Sequence, residues 1–421
     1  MQETKKTYLP LIWNVREAAL NLAGVAEKTP LSTSVTYSRL YESNVLLKRE
    51  DLQPVRSYKI RGAYNKISTL SENETAAGVV CASAGNHAQG VAMSCEKLGI
   101  KGTIFMPAPT PKQKIDQTKM FGGSHVDIVL EGDTYDDSYN AAINFCKENG
   151  STFVHPFDDE KVIEGQATVG LEILEQTSKQ IDYVFVAVGG GGLASGLCSV
   201  FKTLSPNTKI IGVEPAGAPS MKTSIDNGVN TKIFEIEKFV DGAAVQQVGD
   251  ITFNICKEFL HQMITVPEGK VCQTILDLYN RDAIVVEPAG ALALSALDLF
   301  KDEIRGKNIV CIVGGSNNDI TRTAEIKERA LLHADLKHYF IIQFPQRAGA
   351  LKEFVAEILG PNDDITHFEY TKKSSRENGY AVVGIELKSK SDFEPLVNKM
   401  KARNFYGDYI NHKPDLYQFL V

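Results

Sequence analysis

Between residues 45 and 330 the chain alternates short apolar runs, rich in β-branched residues, with longer stretches of helical periodicity. One predicted helix covers 58–70, because Ile60, Ala63 and Ile67 recur on one face, and another covers 87–98. Strand–helix alternation is typical of parallel sheets covered by helices, so the pattern predicts an α/β fold. The expected strands lie at 45–48, 79–82, 102–106, 126–129, 183–188, 209–213 and 308–313.

The remaining residues, 331–421, carry a different pattern. Strands are expected at 338–344, 365–371, 379–388 and 416–421, and helices at 350–359 and 393–403. The order βαββαβ is that of a ferredoxin-like α+β module. We therefore expect two domains, 1–330 and 331–421, with 331–337 as the connector.

Composition narrows the class of protein. The 421 residues are 43% hydrophobic and 23% charged, values of an ordinary globular chain, which excludes a disordered one. The net charge of −7 disfavours a nucleic-acid-binding surface. No apolar run reaches the roughly 18–20 residues of a membrane helix, and the first residues lack the pattern of a secretory signal. We therefore expect a cytoplasmic protein with no nucleic-acid or membrane partner.

The seven cysteines are scattered and include no CxxC pair, so neither a zinc site nor a disulfide framework is predicted. Most of them stand in apolar stretches, where a buried reduced thiol is the ordinary interpretation. Reduced thiols agree with a cytosolic compartment.

The loop RSYKIRGA, residues 56–63, carries a lysine in an unusual place. Ser57 is expected to cap the helix, which puts Lys59 in the first turn. There the positive end of the helix dipole disfavours an ammonium, and a lysine with a lowered pKa is a nucleophile for carbonyls. The alternative is a solvated surface lysine, the ordinary state of a lysine taken alone.

The loop CASAGNHAQG, residues 81–90, joins the end of a strand to a helix that starts near His87. Its exposed amides, the Ser83 hydroxyl and the Asn86 amide form an anion site suited to a carboxylate. The alternative is a serine-capped helix start that binds no ligand.

Four consecutive glycines at 189–192 stand between a strand and a helix in VAVGGGGLASG, residues 186–196. Glycine is entropically costly in regular elements, and here the exposed amides predict a phosphate site. Gly189, Gly191 and Ala194, followed by Glu214, also fit the outline of a dinucleotide fingerprint. That nicotinamide alternative leaves Lys59 unexplained.

The late turn CIVGGSNND, residues 311–319, is by itself an ordinary glycine turn. Together with SYKIRGA, SAGNHAQG and GGGGL, it resembles the β-family (fold type II) of pyridoxal-phosphate enzymes. Within that family the chain is similar, over residues 29–329, to the threonine deaminases, also called threonine dehydratases or threonine ammonia-lyases. The segment FPQRAGAL at 344–351, with the βαββαβ order, resembles the single ACT-like regulatory domain of their short biosynthetic form. The resemblance implies two open, mostly parallel sheets covered by helices, as in the tryptophan synthase β-subunit.

The resemblance also implies roles for residues. Lys59 would bind pyridoxal 5'-phosphate covalently and act as the catalytic base, with Ser83 as a second catalytic residue. Tyr58, where the family commonly has phenylalanine, would pack on the cofactor ring, and Asn86 would hydrogen-bond the phenolate oxygen of that ring. The phosphate would be bound by Gly189, Gly190, Gly191, Gly192 and Leu193, and the substrate carboxylate by Ser83, Ala84, Gly85, Asn86 and His87.

One position departs from the family pattern. The family usually reads S-G-G-N or S-G-A-N in the fourth loop, where the serine hydroxyl meets the pyridine nitrogen. Here Gly314 stands at that position and Ser316 follows two residues later. Either Ser316 substitutes through a shifted turn, or water fills the gap at Gly314.

The implied activity is deamination of L-threonine to 2-oxobutanoate and ammonia, the first step of isoleucine biosynthesis. Isoleucine would inhibit through the C-terminal domain, valine would antagonise it, and the assembly would be a homotetramer. Family members with a cation near Glu214 carry further acidic ligands that residues 218–220 lack, so we expect no required metal. The alternatives are L-serine as substrate, a racemase or threonine synthase reaction, a nicotinamide oxidoreductase, and an amino-acid sensor without catalysis.

Overall fold

The computed structural model describes residues 7–370 and 378–413. The chain divides into two compact units, Met1–Asp319 and Ile320–Val421. The functional division into 1–330 and 331–421 stays a prediction. No helix within the described ranges combines the length and the apolarity needed to cross a membrane.

The strands and helices are numbered in chain order. The strands are β1 (Leu31–Thr33), β2 (Asn44–Arg49), β3 (Val79–Ala82), β4 (Gly102–Met106), β5 (Val126–Leu130), β6 (Thr152–Phe153), β7 (Tyr183–Ala187), β8 (Lys209–Pro215), β9 (Gln262–Val266), β10 (Asn308–Val313), β11 (Lys337–Pro345), β12 (Asp364–Tyr370), β13 (Asn378–Glu386) and β14 (Tyr406–Tyr409). The helices are α1 (Ile12–Asn21), α2 (Val35–Tyr41), α3 (Lys59–Ser68), α4 (Glu72–Ala77), α5 (Asn86–Leu98), α6 (Lys112–Gly122), α7 (Tyr135–Asn149), α8 (Glu160–Gln176), α9 (Gly192–Leu204), α10 (Ser220–Asn227), α11 (Asp250–Phe259), α12 (Glu268–Asp282), α13 (Pro288–Ser295), α14 (Thr323–His333), α15 (Ala350–Glu353) and α16 (Phe393–Ala402).

The first unit contains two sheets. The larger has the strand order β1-β2-β10-β7-β8-β9, and its strands pair in parallel except β1 with β2. The smaller has the order β5-β4-β3-β6 and is parallel throughout. Parallel strands covered on both faces must be apolar along their length, as β10 and β4 are. The predicted α/β fold with two mostly parallel sheets is confirmed.

Helices of the first unit bury their apolar stripes on these sheets. Helix α9 packs Leu197 and Phe201 with Val186 of β7 in one core. Helices α3 and α5 pack Ile67 and Val91 with the smaller sheet in another. Helix α3 also runs close to α5, since a Cβ at Gly90 would lie 3.1 Å from the Lys59 carbonyl. This close packing places the start of α3 beside the loop that leads into α5.

Three strands of the first unit are not indicated by the sequence pattern. β1 and β6 have three and two residues, too few for a periodicity to appear. β9 lies at the edge of the larger sheet, with an exposed first residue and an interrupted burial pattern. Their positions depend on pairing with distant strands.

The second unit forms an antiparallel sheet with the order β12-β13-β11-β14. Phe340, Phe354, Met400 and Phe405 lie in its core. The expected helix at 350–359 begins as α15 and continues as a π-helical turn, Phe354–Ile358. The strand expected at 416–421 lies outside the described residues, whereas β14, which pairs with β11, was not expected. The predicted C-terminal α+β domain is confirmed, and its sheet is antiparallel.

Candidate active site

Lys59 is the first residue of α3 and is half-buried. Its Nζ donates a hydrogen bond to the carbonyl oxygen of Pro156 at 2.9 Å and lies 5.5 Å from the centre of the Tyr58 ring. Burial lowers the pKa of Lys59 to about 8, against the opposing effect of the Glu287 carboxylate. The lowered pKa therefore follows from desolvation, whereas the sequence suggested the helix dipole.

Ser57 does not cap α3, so that prediction is wrong. Its backbone forms an antiparallel bridge with Gly315, which keeps the chain extended before the helix. Its hydroxyl is buried without a hydrogen-bond partner among the described residues. The next amide, that of Tyr58, donates to the carbonyl oxygen of Gly314 at 3.2 Å. The tertiary contact between the first and fourth loops thus takes the place of a local cap.

The second loop leads from β3 into α5. The Ser83 hydroxyl accepts a hydrogen bond from the Gly85 amide at 3.2 Å, and Ser83, Ala84, Gly85 and Asn86 are all partly buried. The His87 ring is buried, and its Nε2 lies 2.8 Å from the Val154 carbonyl. Burial, with the nearby Lys59 charge, lowers the pKa of His87 to about 3, so the ring is neutral near pH 7. The Nε2 atom of His87 is therefore engaged with the backbone of residue 154.

Asn86 joins the second loop to two others. Its Nδ2 donates to the Glu287 carboxylate at 2.6 Å, and its Oδ1 accepts from Nδ2 of Asn317. Burial raises the pKa of Glu287 to about 7, with Asp241 adding to the rise and the Asn86 hydrogen bond opposing it. A 2.6 Å bond to a buried carboxyl fixes this amide firmly.

The tetraglycine loop connects β7 to α9. Gly191 has φ +93°, a conformation that favours glycine, and a Cβ at Gly190 would lie 2.2 Å from the Phe157 ring. The first helical bond here runs from the Ser195 amide to the Gly191 carbonyl. Within the described part of the chain, the amides of residues 190–193 donate no hydrogen bond. Such amides at a helix N-terminus are suited to a phosphate.

The fourth loop follows β10. A Cβ at Gly314 would meet only the Tyr58 ring, at 3.5 Å, an ordinary contact. The Ser316 hydroxyl donates to the Asp51 carbonyl at 3.0 Å, and the Ser316 amide donates to Arg56. The single proton of that hydroxyl is therefore engaged with the backbone after β2.

Three segments that the sequence did not single out complete the site. The segment after β6 supplies Pro156 to Lys59 and packs Phe157 against the tetraglycine loop. The segment 241–243 lies between that loop and Glu287, since a Cβ at Gly189 would be 3.0 Å from Ala243 and one at Gly242 would be 3.7 Å from Glu287. Glu287 itself precedes α13. The sequence marks these segments only by polar residues at the end of a strand or the start of a helix, where ligands bind in parallel sheets.

Glu214 stands at the position considered for a cation. Its two carboxylate oxygens accept hydrogen bonds from the amides of Met221 and Lys222, at 2.6 and 2.9 Å, at the start of α10. Burial raises its pKa to about 8, and these two hydrogen bonds oppose the rise. Among the described residues no group of three or more His, Cys, Asp or Glu side chains is placed to hold a metal ion. The absence of a required metal stays a prediction.

Comparison with known proteins identifies the family. Residues 22–315 match the family described as pyridoxal-phosphate dependent enzyme. This chain belongs to that family. Residues 328–420 match the C-terminal regulatory domain of threonine dehydratase. Membership confirms pyridoxal 5'-phosphate as the predicted cofactor.

Two sequence relatives match over nearly the whole chain and a solved structure over about three quarters of it. The biosynthetic L-threonine dehydratase of Halalkalibacterium halodurans is 54% identical over 400 residues, 95% of this chain and 96% of that protein. That of Bacillus subtilis is 52% identical over 417 residues, 99% of each chain. The solved processed form of threonine deaminase isoform 2 from Solanum lycopersicum is 39% identical, has a TM-score of 0.72, and covers 77% of this chain and 90% of its own.

The residues present fit this cofactor. The amides of the tetraglycine loop are available for a phosphate, and side chains at Gly190 or Gly191 would meet Phe157, Met221 or Thr252 within 2.8 Å. Among the described residues the Lys59 amine has one hydrogen-bond partner, the carbonyl of Pro156, and the next residue, Phe157, packs against the tetraglycine loop. Two buried polar atoms beside the first and fourth loops, Ser57 Oγ and Asn317 Oδ1, have no partner in the described part of the chain. Buried polar atoms normally have a hydrogen-bond partner, so these two are exceptions beside the site.

Proposed function

We propose that this chain catalyses the pyridoxal-phosphate-dependent deamination of L-threonine to 2-oxobutanoate and ammonia, the first step of isoleucine biosynthesis. The observation that carries the proposal is the position of Lys59. Its desolvated amine donates to Pro156, whose neighbour Phe157 packs on the tetraglycine loop. Its charge also acts on His87 of the carboxylate loop and is acted on by Glu287, the partner of Asn86. The chain is more than half identical to biosynthetic L-threonine dehydratases.

Bound pyridoxal phosphate supplies an electron sink for the negative charge that develops on Cα of the substrate. The protein has to hold that group and move protons. Lys59 holds it covalently and, once released, takes the proton from Cα, since an amine with a pKa of about 8 is partly unprotonated near neutral pH. The amides of Gly189, Gly190, Gly191, Gly192 and Leu193 hold the phosphate.

The substrate carboxylate binds at the N-terminus of α5. The amides that start this helix and the Ser83 hydroxyl provide donors for its two oxygens, and the helix dipole favours a negative charge there. Ser83, Ala84, Gly85, Asn86 and His87 form this loop, with His87 contributing its backbone. Asn86 donates to the phenolate oxygen of the cofactor ring, and Tyr58 packs on the ring face.

The fourth loop supplies Gly314 and Ser316 to the ring-nitrogen side. Because the Ser316 proton is engaged with Asp51, this hydroxyl can accept from a protonated ring nitrogen but cannot also donate to it. Compared with a carboxylate, a neutral acceptor at this position would hold a proton on the ring nitrogen less strongly and so would disfavour transamination.

Residues 1–330 form the catalytic part and residues 331–421 the regulatory part of the proposed enzyme. The match to a threonine dehydratase regulatory domain supports inhibition by isoleucine. Such regulation requires that isoleucine bind differently to two states of the assembly. We further propose valine as antagonist, a homotetrameric assembly and a cytoplasmic location. L-serine is the second candidate substrate, because maize serine racemase is 30% identical to this chain with a TM-score of 0.72.

The test is keto-acid release by the purified chain with pyridoxal phosphate, from L-threonine and from L-serine, each with and without isoleucine. We expect 2-oxobutanoate from L-threonine, suppressed by isoleucine, and no turnover by the Lys59→Ala variant. Full turnover by that variant, or no keto acid from either substrate, contradicts the proposal. Unchanged threonine turnover at saturating isoleucine contradicts the regulatory part alone.

A further inference from the structure

The side chain of Asn86 is held from both sides. Its Nδ2 donates to Glu287 Oε1 at 2.6 Å, and its Oδ1 accepts from Asn317 Nδ2. An asparagine amide has two N–H donors and one carbonyl oxygen. After these two bonds one N–H of Asn86 is left, and it is the only strong donor that this side chain can offer a ligand.

The reverse orientation of the Asn86 amide is excluded by its neighbours. Rotation by 180° would place Oδ1 against the Glu287 carboxylate and Nδ2 against the Nδ2 of Asn317. With Glu287 ionised the first is a contact between two acceptors, and the second is a contact between two donors whatever the charge of Glu287, each costly at a partly buried site. Both partners therefore fix the same orientation.

Glu287 is itself closely held. Its backbone amide donates to the Gly315 carbonyl at 3.2 Å, and its carboxyl also accepts the backbone amide of Asn317. A Cβ at Gly315 would lie 2.3 Å from Glu287 Oε1, so only glycine permits this approach. Glu287 is 6% exposed as a residue, and burying its carboxyl is costly unless it is hydrogen-bonded. A buried carboxyl with these partners is suited to positioning another group.

Asn317 is held in the same way. Its Nδ2 also lies 2.8 Å from Gln89 Oε1 and 3.0 Å from the Val55 carbonyl. Gln89 is on α5, one turn after Asn86, and its Nε2 donates to Gln117 of α6 at 3.1 Å. Hydrogen bonds of the Asn86 side chain thus join three segments: the second loop, the fourth loop and the segment that carries Glu287.

We propose that Glu287 is a positioning residue for the cofactor, which together with Asn317 fixes the amide of Asn86 so that its remaining N–H faces the oxygen of the bound ring. Glu287 acts through Asn86 and does not itself touch the reacting atoms. The proposal rests on the proposed function, because it requires pyridoxal phosphate to bind beside Asn86.

A double-mutant cycle on cofactor affinity tests this. The dissociation constant of pyridoxal phosphate is measured by equilibrium dialysis for the wild type, Asn86→Ala, Glu287→Leu and the double variant, each as the full chain stripped of cofactor. Each single substitution should weaken binding roughly ten- to a hundredfold, the effect of one hydrogen bond to a charged group. The dissociation constant of the double variant should lie within about threefold of that of the weaker-binding single variant, since the two substitutions remove the same contact.

Glu214→Leu is the matched control, because Glu214 is also a buried glutamate that accepts two amides but makes no hydrogen bond to Asn86. The fold loss of affinity in the Glu214→Leu, Asn86→Ala double variant should equal the product of the two single losses. If the losses of Glu287→Leu and Asn86→Ala also combine as a product, the proposal is overturned. Should Glu287→Leu fail to fold, the cycle of Asn317→Leu with Asn86→Ala is judged by the same criterion.

Keto-acid release by the wild type, measured in parallel, separates the two conclusions. A wild type that releases 2-oxobutanoate while the Glu287 and Asn86 effects multiply contradicts the positioning role alone. A wild type that binds pyridoxal phosphate, shows the coupling and releases no keto acid contradicts the proposed reaction and leaves the positioning role supported.

Discussion

The ring of Phe157 lies so close to Gly190 that a Cβ on that glycine would come within 2.2 Å of the ring carbons. The segment that carries Phe157 also supplies the carbonyl of Pro156 to Lys59. One short connection after β6 therefore sets the distance between the tetraglycine loop and the reactive amine.

Gly190→Ala should disrupt this arrangement. The added methyl must displace the Phe157 ring, and overpacking of this kind costs about 1–3 kcal/mol. We expect weaker binding of pyridoxal phosphate, by roughly five- to a hundredfold. Adding Phe157→Leu should recover part of the affinity, because the smaller side chain can move aside, and Phe157→Leu alone serves as the control. A Gly190→Ala variant that binds the cofactor as tightly as the wild type contradicts the contact.

Gly314 and Gly315 form a matched pair of neighbouring glycines. A serine at 314 has room, since its Cβ would be 3.5 Å from the Tyr58 ring, whereas a Cβ at 315 would be 2.3 Å from Glu287 Oε1. We expect Gly314→Ser to change the free energy of unfolding by less than about 1 kcal/mol and Gly315→Ser to lower it by about 1–3 kcal/mol. Urea unfolding of both variants measures this, and equal losses would contradict it.

The charge on Glu287 should affect the titration of Lys59. The carboxylate opposes the fall in the pKa of Lys59, which burial lowers to about 8. Glu287→Gln removes that charge, so the pKa of Lys59 should fall further. The rate at which pyridoxal phosphate becomes trapped on Lys59 by borohydride should rise with pH, with its midpoint near 8 in the wild type and lower in the variant. A wild-type midpoint near the ordinary lysine value of 10.5 would exclude the desolvated amine.

Glu214 should make stability depend on pH. Its pKa is about 8 in the folded protein and 4.5 ordinarily, so between these pH values the folded state holds a proton that the unfolded state has lost. The free energy of unfolding therefore falls as pH rises through this window. In Glu214→Gln the Tm should fall less between pH 5 and pH 8. If plots of Tm against pH run parallel for the wild type and the variant, Glu214 is already ionised in the folded protein.

Much of the fold is predictable from the sequence because it depends on local patterns. The apolar runs of β3, β4, β7 and β10 and the stripes of α3 and α5 appear in the printed sequence at the positions where the structure has them. The strands β1 and β6 do not, because a strand of two or three residues carries little periodicity of its own. Nor does the five-residue edge strand β9, because its burial pattern is interrupted.

The sequence by itself determined the α/β fold and the four glycine- or lysine-bearing loops, because backbone freedom and helix starts depend on local residue types. The cofactor was implied by the resemblance of these loops to a known family. Only the tertiary structure brought Glu287 to Asn86, across 201 residues, and Pro156 to Lys59, across 97. It also decided that Ser57 bridges to Gly315 instead of capping α3, and that burial lowers the pKa of Lys59. Desolvation and hydrogen-bond partners depend on what the folded chain packs around a group, and no local pattern records that.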